Sequence, residues 1–165
     1  MIRVEILDYA GLLPALQAVH LPFGKSCNVD NPDERDKAKN LITRLVRSGD
    51  EHAKVTRGIV VWMDISAPIY WWREMETYRI GRERLSCEST MHIDCKGLKG
   101  EELQKAKADI PMGRQQRAID MYSYQCLRRI YHQRKNHRLP EWQEFCKVIE
   151  RLPLAKEFIT NADKD

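Results

Sequence analysis

The chain has no apolar run near the ~20 residues that a membrane-spanning helix needs. Its opening, MIRVEILDYAGLL, has neither the long apolar core nor the small-residue cleavage site of a secretory signal, so a cytosolic protein is expected. No Gly-rich phosphate loop of the P-loop or GxGxxG kind occurs, which excludes the commonest backbone cradles for nucleotides. HExxH is absent, no two cysteines stand at CxxC spacing, and no Ser-His-Asp order can be inferred, so nothing points to zinc or to a hydrolytic triad. Repeats, linkers and low-complexity stretches are also missing. The five cysteines (Cys27, Cys87, Cys95, Cys126, Cys146) are odd in number. They read as buried free thiols of a reducing compartment, with Cys87 alone having polar neighbours that leave a catalytic thiol open.

What is present is 165 residues with abundant charge of both signs and a net charge of +4. That length predicts one domain, residues 1–165, able to bury roughly two thirds of its unfolded surface. The mild positive balance suits a phosphate-bearing small molecule and is low for a nucleic-acid partner.

Residues 2–7 alternate and predict a strand. Asn31-Pro32 and an acidic first turn open a helix that Ser48-Gly49 closes. Val55 to Ile65, rich in β-branched residues, predicts a second strand. Ala67-Pro68 starts a helix reaching about Glu76. Tyr78 to Lys99 reads as an ordered loop carrying function, and Lys99 to Lys107 as a short charged helix. The spacing of Ile119, Tyr122, Cys126 and Ile130 predicts one long helix from Pro111 to about Lys135. Leu139-Pro140 opens a last helix with Trp142, Phe145, Cys146, Ile149 and Leu152 on one face.

Three polar clusters stand out. Arg73, Glu74, Thr77, Tyr78 and Arg79 follow an aromatic helix; arginine there can fork onto a phosphate, or form ion pairs at a wet helix end. Ser86, Cys87, Ser89, Thr90 and His92 can hold a phosphate or a base edge, or simply cap local backbone. Arg128, Arg129, Tyr131, His132, Arg134, Lys135, Asn136, His137 and Arg138 form an anion site, a solvated helix end or, with an aromatic interleaved, a nucleic-acid surface, for which the patch is short and the net charge low. His52, His92, His132 and His137 have no carboxylate at a spacing that fixes a partner.

Along most of its length the chain resembles the flavin-dependent thymidylate synthases. IRVEILDYAG is similar to their first strand, and DERDKAKNLITRLVRSGDEH to their acidic helix. API(Y) with its aromatics resembles the helix leading into their Arg-His-Arg signature, which falls on Thr77, Tyr78 and Arg79. The serine downstream falls on Ser86 or Cys87. The resemblance implies that Arg134 binds substrate phosphate and that Lys107 is a second nucleotide-binding cation. It further implies FAD as cofactor, a nucleoside monophosphate as ligand and a homotetramer. Thr77 and Tyr78 stand where the family has Arg and His, so little tightly bound FAD is expected. The chain also resembles a group of small phage-encoded proteins through W-x-E-x-x-T-Y-R-x-G, S-T-M-H and R-K-x-H-x-L-x-E-W-x-x-F-C. That second resemblance implies a phage genome and the cytosol of an infected host.

The expected fold is α+β, a small mixed or antiparallel sheet packed on long helices. The expected nucleotide-binding residues are Glu74, Thr77, Tyr78, Arg79, Ser86, Ser89, Thr90, His92, Lys107, Arg129 and Arg134, with no metal. Three functions stay open: a nucleotide-binding protein of phage nucleotide metabolism or signal capture, an active flavoenzyme acting on a thymidylate-like nucleotide, or an oligomeric host-protein-binding scaffold. The aromatic load of Tyr70, Trp71, Trp72 and Tyr78 is expected at a subunit interface.

Overall fold

The structure, a computed structural model, describes residues 1–161. Four strands, β1 (Arg3–Ala10), β2 (Val60–Pro68), β3 (Arg82–Cys87) and β4 (Gln115–Ser123), form one antiparallel sheet in the order β1-β2-β4-β3. Around them lie α1 (Leu12–Ala18), α2 (Pro32–Arg47), α3 (Ile69–Met75), α4 (Gly100–Ala108), α5 (Tyr124–Arg134) and α6 (Pro140–Ile149).

Helix α2 forms for reasons written in its first turn. The Asn31 side chain accepts from the Asp33 and Glu34 N–H groups at 3.0 and 3.5 Å, Pro32 presets the first helical φ, and the acidic first turn faces the positive end of the helix dipole. Ala38, Ile42 and Val46, four apart, are its fully buried stripe.

In β2 the residues alternate between two environments. Val61, Met63 and Ile65 share the inner face with Tyr122, Asp120 and Ala118 of β4, and all are buried. The other face pairs Trp62 with Met121 and Asp64 with Ile119. There Trp62, Met121 and Ile119 stay half-buried.

Two expectations are corrected. The long helix from Pro111 does not exist as such: Gln115–Ser123 is strand β4, and only Tyr124–Arg134 is helical. Ile119 and Tyr122 sit on opposite faces of that strand, so their spacing mimicked a helical line across a strand-to-helix junction. The expected loop from Tyr78 contains β3, a charged edge strand with a bulge between Arg84 and Ser86.

The aromatic helix α3 is also placed differently. Trp71 is fully buried and Trp72 is 3% exposed, within the chain's own core. Trp71 packs on Trp142 and Phe145 at ring distances of 4.8 and 5.5 Å, and the Trp72 indole N–H donates to the Gln116 carbonyl at 2.8 Å. A subunit interface is not needed to bury them.

Candidate functional site

The turn after α3 carries the best-formed candidate site. Thr77 N–H and Tyr78 N–H donate to the Glu74 and Met75 carbonyls, closing the helix, and the chain then reverses at Gly81 (φ +80°). A Cβ on Gly81 would lie 2.4 Å from Ser123 Oγ, so only glycine fits where the turn meets the β4–α5 junction. The Ser123 N–H donates to the Gly81 carbonyl at 2.7 Å and sews the two together.

Behind the turn lies a buried charge network. Asp120, fully buried, accepts from Arg82 Nε at 2.6 Å, from Arg84 Nε at 3.0 Å and from the Tyr122 hydroxyl at 3.1 Å. Arg82 also donates to the Met75 carbonyl and the Glu76 carboxylate, so it grips the turn. Burial and the Asp120 charge raise the Tyr122 hydroxyl well above its usual value. Burial pushes the Glu76 carboxyl up; the Arg82 hydrogen bond and the charges of Arg82, Arg84 and Arg79 outweigh it and leave it low.

In front of the turn is a cavity of about 390 Å³ lined by Thr77, Tyr78, Arg79, Ile80, Arg129 and Gln133. Arg79 gives one long bond, Nε to the Glu76 carbonyl at 3.4 Å, and makes no ion pair among the described residues. Arg129 donates Nη2 to the Ile80 carbonyl at 2.5 Å, while its Nε is buried without a hydrogen-bond partner, 4.0 Å from Asp50. Two guanidinium groups thus face one small cavity, an arrangement suited to an oxyanion. A larger cavity of about 710 Å³, between the Leu21–Phe23 turn and α2, contains none of the expected residues.

The remaining expected residues divide into two groups. Glu74 and Arg134 are partners: Arg134 Nη1 donates to Glu74 at 2.7 Å, and the Trp142 indole N–H donates to the same oxygen at 2.9 Å. Arg134 stacks over Trp142 at 4.6 Å, and its side chain is 17% exposed, so its charge is already compensated inside the chain. Ser86 sits near the far end of β3, a strand roughly 20 Å long, and Ser89, Thr90, His92 and Lys107 lie beyond it. There Lys107 Nζ donates to the Thr90 hydroxyl and His92 is exposed. The structure therefore brings Thr77, Tyr78, Arg79 and Arg129 together, sets Glu74 and Arg134 behind Tyr78, and leaves the Ser86–Lys107 group apart.

The basic run Arg128–Arg138 is not one surface. Arg128 is buried and donates to the Ile159 and Asn161 carbonyls at 3.1 and 3.0 Å, and His132 Nε2 lies 3.0 Å from the same Ile159 carbonyl. Gln133 was missed. Its signal was positional, since it stands four residues after Arg129 on one helix face.

Among solved structures, the fold is that of the flavin-dependent thymidylate synthases. The ThyX enzyme of Helicobacter pylori complexed with FAD and dUMP matches at a TM-score of 0.75 and 16% identity, over 98% of this chain and 100% of that one. A second structure of that enzyme with FAD and dUMP matches at 0.75 and 15%, over 96% and 97%. The UMP/dUMP methylase PolB of Streptomyces cacaoi, bound with 5-Br dUMP, matches at 0.66 and 13%, over 96% and 92%. No protein-family model matches the sequence, and no curated protein does. Among the described residues no helix is long and apolar enough to cross a membrane, and no group of side chains is placed to hold a metal.

Proposed function

We propose that this chain binds a nucleoside monophosphate, or a closely related phosphate ester, at the cavity between Arg79 and Arg129. Its role would be in phage nucleotide metabolism or in capture of a nucleotide signal, in the cytosol of an infected host. The observation that carries this reading is the pair of guanidinium groups facing a 390 Å³ cavity, Arg79 making no ion pair among the described residues. The nucleotides in the H. pylori and S. cacaoi structures support it. Each charge-assisted bond to phosphate contributes roughly 1.5–3 kcal/mol. A thermal-shift screen over UMP, dUMP and FAD tests the proposal. A shift with the monophosphates that Arg79→Ala abolishes supports it; no shift with any monophosphate overturns it. Arg134 acts on the ligand through Tyr78 in this reading, and the Ser86–Lys107 group would join the same ligand only across a subunit boundary.

Flavin fits this cavity poorly. Its walls supply hydrogen-bond donors and the Ile80 side chain, and the one aromatic candidate for stacking on a tricyclic ring, Tyr78, is turned inward and 8% exposed. A second reading, an active flavoenzyme, is favoured by the FAD in the H. pylori structures. A yellow protein with stoichiometric flavin after gel filtration would select it.

The outer sheet face, with Trp62, Ile119 and Met121 half-buried around the Asp64–Arg117 ion pair, supports a homo-oligomer, a tetramer by resemblance.

A further inference from the structure

We propose that Tyr78 is a specificity-determining positioning residue: held by Arg134, it fixes the Gln133 amide so that the ligand meets a hydrogen-bond donor there. The inference rests on the reading of the cavity as a phosphate-ester site. Arg134 Nε donates to the Tyr78 hydroxyl oxygen at 2.8 Å. An arginine has no acceptor, so this bond runs in one direction only. The Tyr78 proton is therefore free to go elsewhere, and it goes to Gln133 Oε1 at 2.8 Å.

That second bond decides the orientation of an amide that could otherwise present either end. With Oε1 held by Tyr78, the Gln133 Nε2 group is the end left for the cavity, and it has no partner among the described residues. The wall then presents Arg79, Arg129 and an amide N–H₂, all donors. Such a wall takes phosphate or carbonyl oxygens and rejects amines.

The relay is anchored where a ligand cannot disturb it. Arg134 is tied to Glu74 at 2.7 Å, and the Tyr78 ring packs edge-on against Trp142 with centroids 6.0 Å apart. Tyr78→Phe removes the hydroxyl and keeps that ring packing.

The experiment is a double-mutant cycle read by calorimetric titration with UMP. Tyr78→Phe and Gln133→Ala are each expected to weaken binding about three- to tenfold, the size of one hydrogen bond lost. In the Gln133→Ala background, Tyr78→Phe should change nothing further. Gln133→Glu, which puts an acceptor of negative charge where the donor was, should weaken binding more than Gln133→Ala. A merely structural Tyr78 would give additive losses, and that result overturns the inference. So does unaltered UMP affinity in Tyr78→Phe when Arg79→Ala lowers it. Wild-type protein that binds no UMP at all would sink the underlying reading, and this inference with it.

Discussion

The Arg82 guanidinium and the Asp120 carboxylate meet at 2.6 Å across adjacent strands, with Asp120 fully buried and the Arg82 side chain 5% exposed. Neither has water to fall back on, so each is the other's main compensation. Removing one partner of a buried pair costs about 3–5 kcal/mol. Asp120→Ala should lower the free energy of unfolding by that amount in a urea titration, and the Arg79 turn should lose its fixed shape with it. A loss under 1 kcal/mol would mean that the Glu76 and Met75 contacts suffice to hold Arg82.

Two tryptophans should separate stability from assembly. Trp72 is core, so Trp72→Ala should destabilise by about 3–5 kcal/mol with no change in elution volume. Trp62 lies half-buried on the open sheet face, so Trp62→Glu should leave the melting temperature nearly unchanged and shift gel filtration toward a smaller species. An unmoved elution volume in Trp62→Glu argues against assembly through that face.

Native thiol chemistry should find one cysteine. Cys87 is exposed, whereas Cys27, Cys95, Cys126 and Cys146 are buried. Burial pushes the Cys126 thiol up to about 11 and the Cys146 thiol up to about 12, which keeps both protonated at neutral pH. Iodoacetamide on folded protein should therefore add a single label, mapping to Cys87 by mass spectrometry; two or more labels would contradict the packing.

The Asp64–Arg117 pair should show in the acid limb of stability. The Arg117 hydrogen bond holds the Asp64 carboxyl below its usual value, against an opposing push from burial. A carboxyl depressed in the folded state binds its proton more readily when unfolded. Its contribution is thus present above about pH 4, the unfolded value, and is lost as pH falls through the lower folded value. Arg117→Ala should be less stable than the parent at pH 7, with the gap closing below pH 4. A gap that stays constant from pH 7 to pH 2.5 would remove this linkage.

Much of the architecture was readable from residue periodicity. β1, α2, β2, α3 and α6 follow from alternation, caps and apolar stripes that one physical rule governs at a time. The failures occurred where two rules overlapped. In Gln115–Arg134 a strand passes directly into a helix, and a period of three to four across the joint counterfeits one element. In Arg82–Cys87 the inward residues are arginines whose partner, Asp120, lies far along the chain, so no apolar alternation marks the strand. In the candidate site, motif and charge mark Thr77, Tyr78, Arg79 and Arg129, which the fold gathers around one cavity. Gln133 gains its meaning only from the Tyr78 hydroxyl, a contact spanning the fold.

The strand order has a consequence for the growing chain. β2, the most apolar strand, pairs with β1 early in synthesis, but its other edge waits for β4, which follows β3 and α4. During that interval Val60–Pro68 presents an open, hydrophobic border to solvent. The wait extends to the last residues described, because the Arg128 guanidinium donates to the Ile159 and Asn161 carbonyls. A ribosome stalled before that point would hold a chain with an unclosed core, and the yield of soluble protein should depend on how quickly translation crosses the second half.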